Sequence, residues 1–122
     1  MTKESPLYKL TLTKEQAQIV SRACELYARI RVGQFDEIIR DCLEPDIKAG
    51  DFCQRKEIAV YHLLEARKEI YPELNGFGHS YGIGKFEDAD ISFDVYQVIR
   101  YALGSDREPW SMRTLPECEV EE

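Results

Sequence analysis

A glycine-rich run at residues 75–85, NGFGHSYGIGK, holds the residue types best suited to ligand binding. Glycine permits positive φ and close backbone approach, and successive N–H groups in such turns form concavities that bind anions. Aromatic rings in the run offer faces on which a base can stack, and its hydroxyl and imidazole groups can form hydrogen bonds. The candidate contacts are Phe77, Gly78, His79, Ser80, Tyr81, Gly82 and Lys85.

The same run also suits a long connection between two helices, with its aromatic rings filling the edge of the core. It lacks the G-K-S/T ending of a phosphate-binding P-loop, and it follows a predicted helix rather than the strand that precedes a dinucleotide-binding motif. On the residues alone, the connection is the favoured interpretation.

Arginines on two predicted helices supply further candidate contacts. Arg100 falls in the last turn of its helix, where a cation complements the helix dipole or reaches a phosphate with a bidentate fork. Arg55 and Arg67 lie on the preceding helix, and Arg67 has no acidic residue three or four positions before it. A solvated surface position is the favoured interpretation for all three.

The first predicted helix carries a local basic patch. Arg22 and Arg29 are seven residues apart and share a face, and Arg31 follows at the helix end. Glu25 lies four residues before Arg29, a spacing that favours a weak ion pair. A solvated face is again favoured, and a second anion site is the alternative.

Charge and composition narrow the functional classes. The net charge is −7, yet residues 1–32 hold six basic and three acidic residues. The acidic remainder argues against a duplex-DNA binder, while a small anion held by a few arginines stays possible. No apolar run approaches the length of a membrane span, and the N-terminus lacks a signal-peptide core, so we expect a cytoplasmic protein that does not associate with membranes.

Catalytic and metal-binding patterns are missing from the sequence. The four cysteines have no short spacing such as C-x-x-C, which favours free thiols over a metal site or disulfides. Neither histidine has a recognisable nucleophile or carboxylate partner. We therefore expect no catalytic residues, no bound metal and no cofactor.

Four helices are expected to position these residues within one domain, 1–122. The first begins at an N-cap, Thr13, with Gln16 as its capping-box partner, and ends at Gly33. The fourth ends at Gly104. The expected spans are 14–32, 34–43, 52–70 with Asp51 as a cap and Pro72 as a stop, and a helix starting at Asp88 or Asp90.

Periodicity also predicts which faces are buried and where strands lie. The third helix is expected to bury Ile58, Tyr61 or His62, Leu64 or Glu65, and Ile70, and the fourth Ile91, Val95, Val98 or Ile99, and Ala102. The stretch LYKLTLT and residues 110–115 are expected to form strands that pair antiparallel, with flexible tails at 1–7 and 116–122. The predicted fold is therefore mainly helical α+β, with a small sheet and a tendency to form oligomers.

Three segments resemble one family. The stretches LTKEQAQIVSRACELYARIRVGQFDEII, YPELNGFGHSYGIG and ISFDVYQVIRYAL are similar to small phage and prophage proteins, the Thoeris anti-defence signal sponges. The resemblance covers about residues 8–104 and rests on the order of these segments and on their amino-acid sequences.

The resemblance implies a non-enzymatic protein that sequesters glyco-cyclic ADP-ribose between protomers of a dimer or trimer of dimers, and cyclic oligonucleotides at a separate site. It implies base stacking by Phe77, backbone contacts from Ser80–Gly84, and pyrophosphate contacts from Arg100 and Arg55. Lys85 stands where the family pattern has asparagine. The patch of Arg22, Arg29 and Arg31 is the candidate second site.

Two other functions stay open at this stage. One is a nucleotide phosphodiesterase or related hydrolase. The other is an acidic phage inhibitor that blocks a protein by resembling DNA.

Overall fold

The computed structural model describes residues 6–47, 52–76 and 78–121, except for the side chains of Phe52 and Cys53. Three α-helices are the longest elements in this part of the chain, and a π-helical segment followed by a 3₁₀ turn lies between the first two. The elements are α1 (Lys14–Arg31), the π-helix Ile38–Leu43, the 3₁₀ turn Glu44–Asp46, α2 (Phe52–Ile70) and α3 (Glu87–Ala102).

The predicted sheet is wrong: the described residues contain no strand, so the fold is all-helical rather than α+β. The segment before α1 contacts no partner strand, and Leu7 and Tyr8 are 92% and 90% exposed. Residues 110–113 instead lie against α3, where side chains rather than a strand satisfy the backbone of Trp110. Alternating apolar residues signal a strand only when another strand is available to pair with them.

Helices α1 and α3 run antiparallel and pack along their length. Hydrogen bonds connect the two helices from their middle to the end of α1 and the start of α3. They join Ser21 Oγ to the Tyr96 carbonyl at 3.3 Å, Ser92 Oγ to the Cys24 carbonyl at 2.7 Å, and the Tyr27 hydroxyl to Asp88 at 2.7 Å. The glycine loop, residues 75–85, therefore lies at the end of this pair where α1 finishes and α3 begins.

Local capping signals gave the ends of α1 correctly. Thr13 caps the helix, and both hydrogen bonds of the capping box with Gln16 are present. Gly33 follows the C-cap residue with φ +102°, the left-handed conformation in which glycine avoids the steric cost of a Cβ. Gly104 ends α3 in the same way, at φ +113°.

The predicted buried face of α2 is largely wrong, whereas the predicted apolar face of α3 is half-buried except at Ile91. Ile58, Tyr61 and Ile70 of α2 are 49–59% exposed, whereas Val60 and Arg67 are buried. On α3, Ile91 is exposed, and the buried positions are Ala89, Asp90, Asp94 and Gln97. Polar partners outside the helices compensate for this burial, which apolar periodicity cannot detect.

Several expectations concern positions where the structure adds little. Asp51 lies outside the described residues, as do residues 1–5 of the predicted N-terminal tail, and the single-domain assignment stays a prediction. Cys24, Cys42 and Cys118 are free thiols, and Cys42 and Cys118 are exposed rather than buried or half-buried. Among the described helices, none is long and apolar enough to cross a membrane.

Alanine substitutions at two glycines with similar positive φ, Gly33 and Gly104, distinguish the cost of backbone strain from the cost of a steric collision. At Gly104 the space around a Cβ is open, so Gly104→Ala should cost about 1–2 kcal/mol of unfolding free energy from φ alone. At Gly33 a Cβ would also collide with the Leu74 side chain, so Gly33→Ala should cost about 1–3 kcal/mol more. Urea unfolding of both variants measures the difference, and equal costs would contradict the packing of Leu74 against Gly33.

Candidate functional site

Arg67 of α2 holds the glycine loop through hydrogen bonds to its backbone. Its side chain is almost completely buried, and its guanidinium donates to the carbonyl oxygens of Gly33 (3.1 Å), His79 (2.8 Å) and Gly76 (2.7 Å). The expectation of a solvated Arg67 is therefore wrong. Its missing helical ion-pair partner was the one sequence signal of this role, since an arginine without a local partner is available for distant acceptors.

Backbone hydrogen bonds hold the loop at several further points. The Tyr81 N–H donates to the Val32 carbonyl at 2.8 Å, which attaches the loop to the end of α1. The Gly76 N–H donates to Nδ1 of His79 at 3.2 Å, and the Gly84 N–H donates to Asp90 at 3.0 Å. The loop is therefore an organised element rather than a slack connection between α2 and α3.

The loop glycines have different structural reasons to be glycine. Gly84 has φ +96°, and a Cβ on Gly76 would collide with the His79 ring. Gly78 and Gly82 have neither reason: both lack positive φ, and in the described part of the chain nothing approaches within 4 Å of a Cβ built on them. Both positions are exposed, so their backbone is open to an approaching group.

Aromatic side chains pack behind the loop and carry its cations. The Tyr81 ring contacts Tyr71 and Phe86 edge-on, with centroids 5.4 and 5.3 Å apart. The Lys85 ammonium lies 5.1 Å from the Tyr81 ring centroid, and the Arg31 guanidinium lies 3.7 Å from that of Phe86. Cation–π contacts thus keep two positive charges at the base of the loop.

Arg31 also belongs to a hydrogen-bonded network at the junction of all three α-helices. Its Nε donates to Asp88 at 3.1 Å, and its Nη1 donates to the Tyr71 hydroxyl at 2.7 Å. The hydrogen bond from the Tyr27 hydroxyl, followed by that from Arg31, lowers the pKa of Asp88 below its ordinary value. The same bond raises the pKa of Tyr27, because the neutral hydroxyl is the donor.

The three arginines of α1 do not converge on one acceptor. Arg29 pairs with Glu25 at 3.3 Å, as its spacing predicted, and also donates to Gln34 at 3.0 Å. Arg22 is exposed and donates to the Asp41 carbonyl at 3.2 Å. With Arg31 held by Asp88, a second ligand site on this helix stays a prediction.

Arg100 lies far from the loop within one chain. It is half-buried, its Nη1 donates to the Tyr96 hydroxyl at 2.9 Å, and its Nε has no hydrogen-bond partner in the described part of the chain. Arg100 follows Asp88 by twelve residues of α3, which separates it from the loop end by about 18 Å of helix. Arg55 is exposed near the start of α2, whereas the loop follows the end of that helix.

The remaining candidate contacts are Phe77, His79 and Ser80 of the loop. Phe77 lies outside the described residues, so its stacking role stays a prediction. His79 is exposed, with its ring against Gly76, and Ser80 accepts a long hydrogen bond of 3.5 Å from Gln34. These loop contacts lie together, while Arg100 and Arg55 stand apart from them.

A small cavity lies between the loop tip, α3 and the C-terminal segment. Its volume of about 20 Å³ suits a water molecule. A nucleotide-sized ligand needs a site of roughly 300 Å³ or more. Within residues 6–47, 52–76 and 78–121, no group of three or more histidine, cysteine or acidic side chains is arranged to hold a metal ion.

Removing the Arg67 guanidinium should loosen the loop and destabilise the protein. Arg67→Leu leaves three carbonyl oxygens without their donor, so it should lower the unfolding free energy by about 3 kcal/mol or more. The neighbouring Lys68→Ala removes only an exposed pair with Glu65 and should cost less than about 1 kcal/mol. Chemical unfolding gives both numbers, and equal effects would argue against a structural role for Arg67.

Tyr27→Phe should raise the pKa of Asp88 towards its ordinary value, because it removes the largest cause of the lowering. A carboxyl whose pKa is lowered in the folded state stabilises the fold at pH values above its unfolded-state pKa. This stabilisation is lost as the pH falls through the folded-state pKa. The variant should therefore lose less stability than the wild type between pH 7 and pH 3, roughly the range that brackets the titration of an aspartate. An NMR titration of the Asp88 carboxyl measures the shift directly, with Tyr101→Phe as the control; an unchanged pKa would rule out the Tyr27 bond as its cause.

Comparison with protein-family models, with curated proteins and with solved structures finds no match to this chain. The likeness to Thoeris anti-defence sponges therefore stays a resemblance in the sequence. A function for the protein has to be argued from the loop and its surroundings.

Proposed function

We propose that the protein captures small nucleotide-derived signals of the glyco-cyclic ADP-ribose class and holds them without cleaving them. Cyclic oligonucleotides are the proposed ligands of a second site at Arg22, Arg29 and Arg31. In this proposal it is a phage anti-defence protein that acts in the host cytosol during infection by lowering the free concentration of an immune signal.

Gly78 and Gly82 are the observation that carries the proposal. Both are exposed, and neither backbone angle nor neighbouring atoms require glycine at these positions. A ligand in contact with this backbone would explain why both positions are glycine, because a Cβ would lie between the ligand and the backbone. Arg67 holds the loop in one shape before the ligand arrives, which reduces the entropy lost on binding.

The chemistry beside these glycines suits a nucleotide. Lys85 is exposed and carries a positive charge at the loop, where a phosphate can meet it. The Tyr81 ring behind Lys85 offers a surface for a base once the lysine side chain swings towards the phosphate. This rearrangement is an inexpensive one, since a lysine side chain at the surface has many rotamers.

A second copy of the chain would complete the site. Arg100 lies about 18 Å along α3 from the loop end, too far to share a small ligand with the loop of its own chain. Its half-buried guanidinium stacks on Tyr96 and donates to the Tyr96 hydroxyl, and the planar fork of an arginine matches the geometry of a phosphate. A homo-oligomer in which Arg100 of one protomer faces the loop of its partner resolves this separation.

Energetics also favour a shared site. Two charged hydrogen-bonded contacts to phosphate give roughly 3–6 kcal/mol, and a base stack gives about 1–3. Immobilising the ligand costs at least about 4 kcal/mol, whereas nanomolar capture requires about 12. One small chain cannot make up this difference, so further contacts must come from a partner.

Native mass spectrometry with cyclic ADP-ribose isomers and cyclic oligonucleotides tests the proposal. The expected result is a ligand-bound oligomer that releases the intact nucleotide after heat denaturation. Recovery of a cleaved nucleotide would establish a hydrolase instead. A melting temperature unmoved by the whole panel would reject nucleotide capture and favour an acidic inhibitor of a protein.

Substitutions at Gly82 should separate binding from folding. Because a Cβ there meets open space, Gly82→Ala should change the unfolding free energy by less than about 0.5 kcal/mol. The same methyl group would press on the ligand and weaken capture by about 1–3 kcal/mol, roughly fivefold to 150-fold in Kd.

Isothermal titration calorimetry with the ligand found by mass spectrometry measures this effect. Arg40→Ala, which removes only an exposed pair with Asp36, is the control and should leave Kd unchanged. Unaltered affinity in Gly82→Ala would show that the ligand does not approach this backbone.

A further inference from the structure

The C-terminal strap, residues 110–113, is docked on α3 by buried polar side chains. Each of three positions on one face of the helix holds one residue of the strap: Gln97 exchanges hydrogen bonds with the backbone of Trp110, Asp94 accepts from the Ser111 hydroxyl, and Asp90 accepts from Arg113. The helix residues are 6–8% exposed. The strap therefore occupies a defined place although it forms no helix or strand.

One of these residues also holds the glycine loop. Oδ1 of Asp90 accepts from the Gly84 N–H at 3.0 Å, while its Oδ2 accepts from Nε and Nη2 of Arg113 at 3.3 and 3.1 Å. The Met112 side chain lies against Gly84 as well. A single carboxylate thus joins the strap to the one loop glycine, among those described, that has a positive φ.

The charge balance makes this arrangement interdependent. Asp90 is buried, and a buried carboxylate is costly unless a cation and hydrogen-bond donors compensate it. Arg113 supplies the cation, and Gly84 supplies the remaining donor. Without Arg113, the buried carboxylate loses its compensating cation and should turn towards water, which weakens its hold on Gly84.

We propose that Asp90 and Arg113 are positioning residues for the glycine loop: the strap fixes the Gly82–Lys85 turn through a buried carboxylate, without contributing a ligand contact of its own. Its effect on ligand capture rests on the proposed function, whereas its effect on the loop does not. The strap thereby gives the chain a means of setting ligand affinity from outside the site.

Amide hydrogen exchange at Gly84, followed by NMR, tests the positioning role in the free protein. Arg113→Ala should speed this exchange by about tenfold or more, and Arg113→Lys should keep most of the protection, because it retains the charge. Arg40→Ala is the matched control, since it removes an exposed arginine from a pair with Asp36 that involves neither the strap nor the loop. Equal exchange in the wild type and Arg113→Ala, or an equal increase in Arg40→Ala, would overturn the proposal.

A double substitution tests whether the coupling passes through Asp90. Asp90→Asn keeps an acceptor for Gly84 but removes the charge that Arg113 compensates. Adding Arg113→Ala in this background should change Gly84 exchange by less than about twofold. A full tenfold effect would show that Arg113 acts by another route and would overturn the assignment.

Calorimetry with cyclic ADP-ribose as the probe extends the test to capture. Arg113→Ala should raise Kd several-fold, while the control Arg40→Ala should leave it unchanged. Equal Kd values despite faster Gly84 exchange would overturn the link to affinity. If the wild type does not bind this probe, the proposed function loses its main support, and the exchange measurements still decide the positioning role.

Discussion

The guanidinium of Arg67 joins α2, the end of α1 and the glycine loop. It donates to a carbonyl just after α1 and to two carbonyls of the glycine loop, while its own backbone belongs to α2. These acceptors are neutral, so the buried charge is compensated by peptide dipoles rather than by a carboxylate. Such an arrangement is costly to desolvate, and it persists only when the donors and acceptors are well aligned. The shape of the loop and the end of α1 are consequently set by the same side chain.

Polar contacts of this kind replace much of the apolar core. Among the described residues, the buried apolar side chains are few, and none falls below 2% exposure. Asp90, Asp94 and Gln97 take positions on α3 that an amphipathic helix would give to apolar residues. Meanwhile Leu7 and Tyr8 are almost fully exposed. In the oligomer proposed above, a second copy would cover part of this apolar surface and so stabilise the chain.

Local signals in the sequence were sufficient for the ends of α1 and for the end of α3. Thr13 with Gln16, and glycine at 33 and 104, act through contacts within a few residues, so their type and spacing define them. The start of α3 was misplaced, because the helix begins at Glu87 with Phe86 as its N-cap rather than at Asp88 or Asp90. The polar residues buried on α2 and α3 depend on partners distant in sequence, such as Trp110 for Gln97, and apolar periodicity did not identify them. The strands failed for the same reason, since the alternation in LYKLTLT needs a pairing partner that the described chain does not supply. For the site, the glycine run was recognisable, but Arg67 and Asp90, which hold it, looked like ordinary helix residues.

Complementation between two inactive variants tests the shared site most directly. Gly82→Leu blocks the loop and Arg100→Ala removes the distant arginine, so neither homo-oligomer should capture the ligand. When the two variants are co-expressed in equal amounts, a mixed dimer has one doubly altered site and one intact site, which restores about a quarter of all sites. Recovery of that binding stoichiometry by calorimetry is the predicted result. No recovery, with mixed oligomers verified by native mass spectrometry, would contradict a site built from the loop of one protomer and Arg100 of its partner.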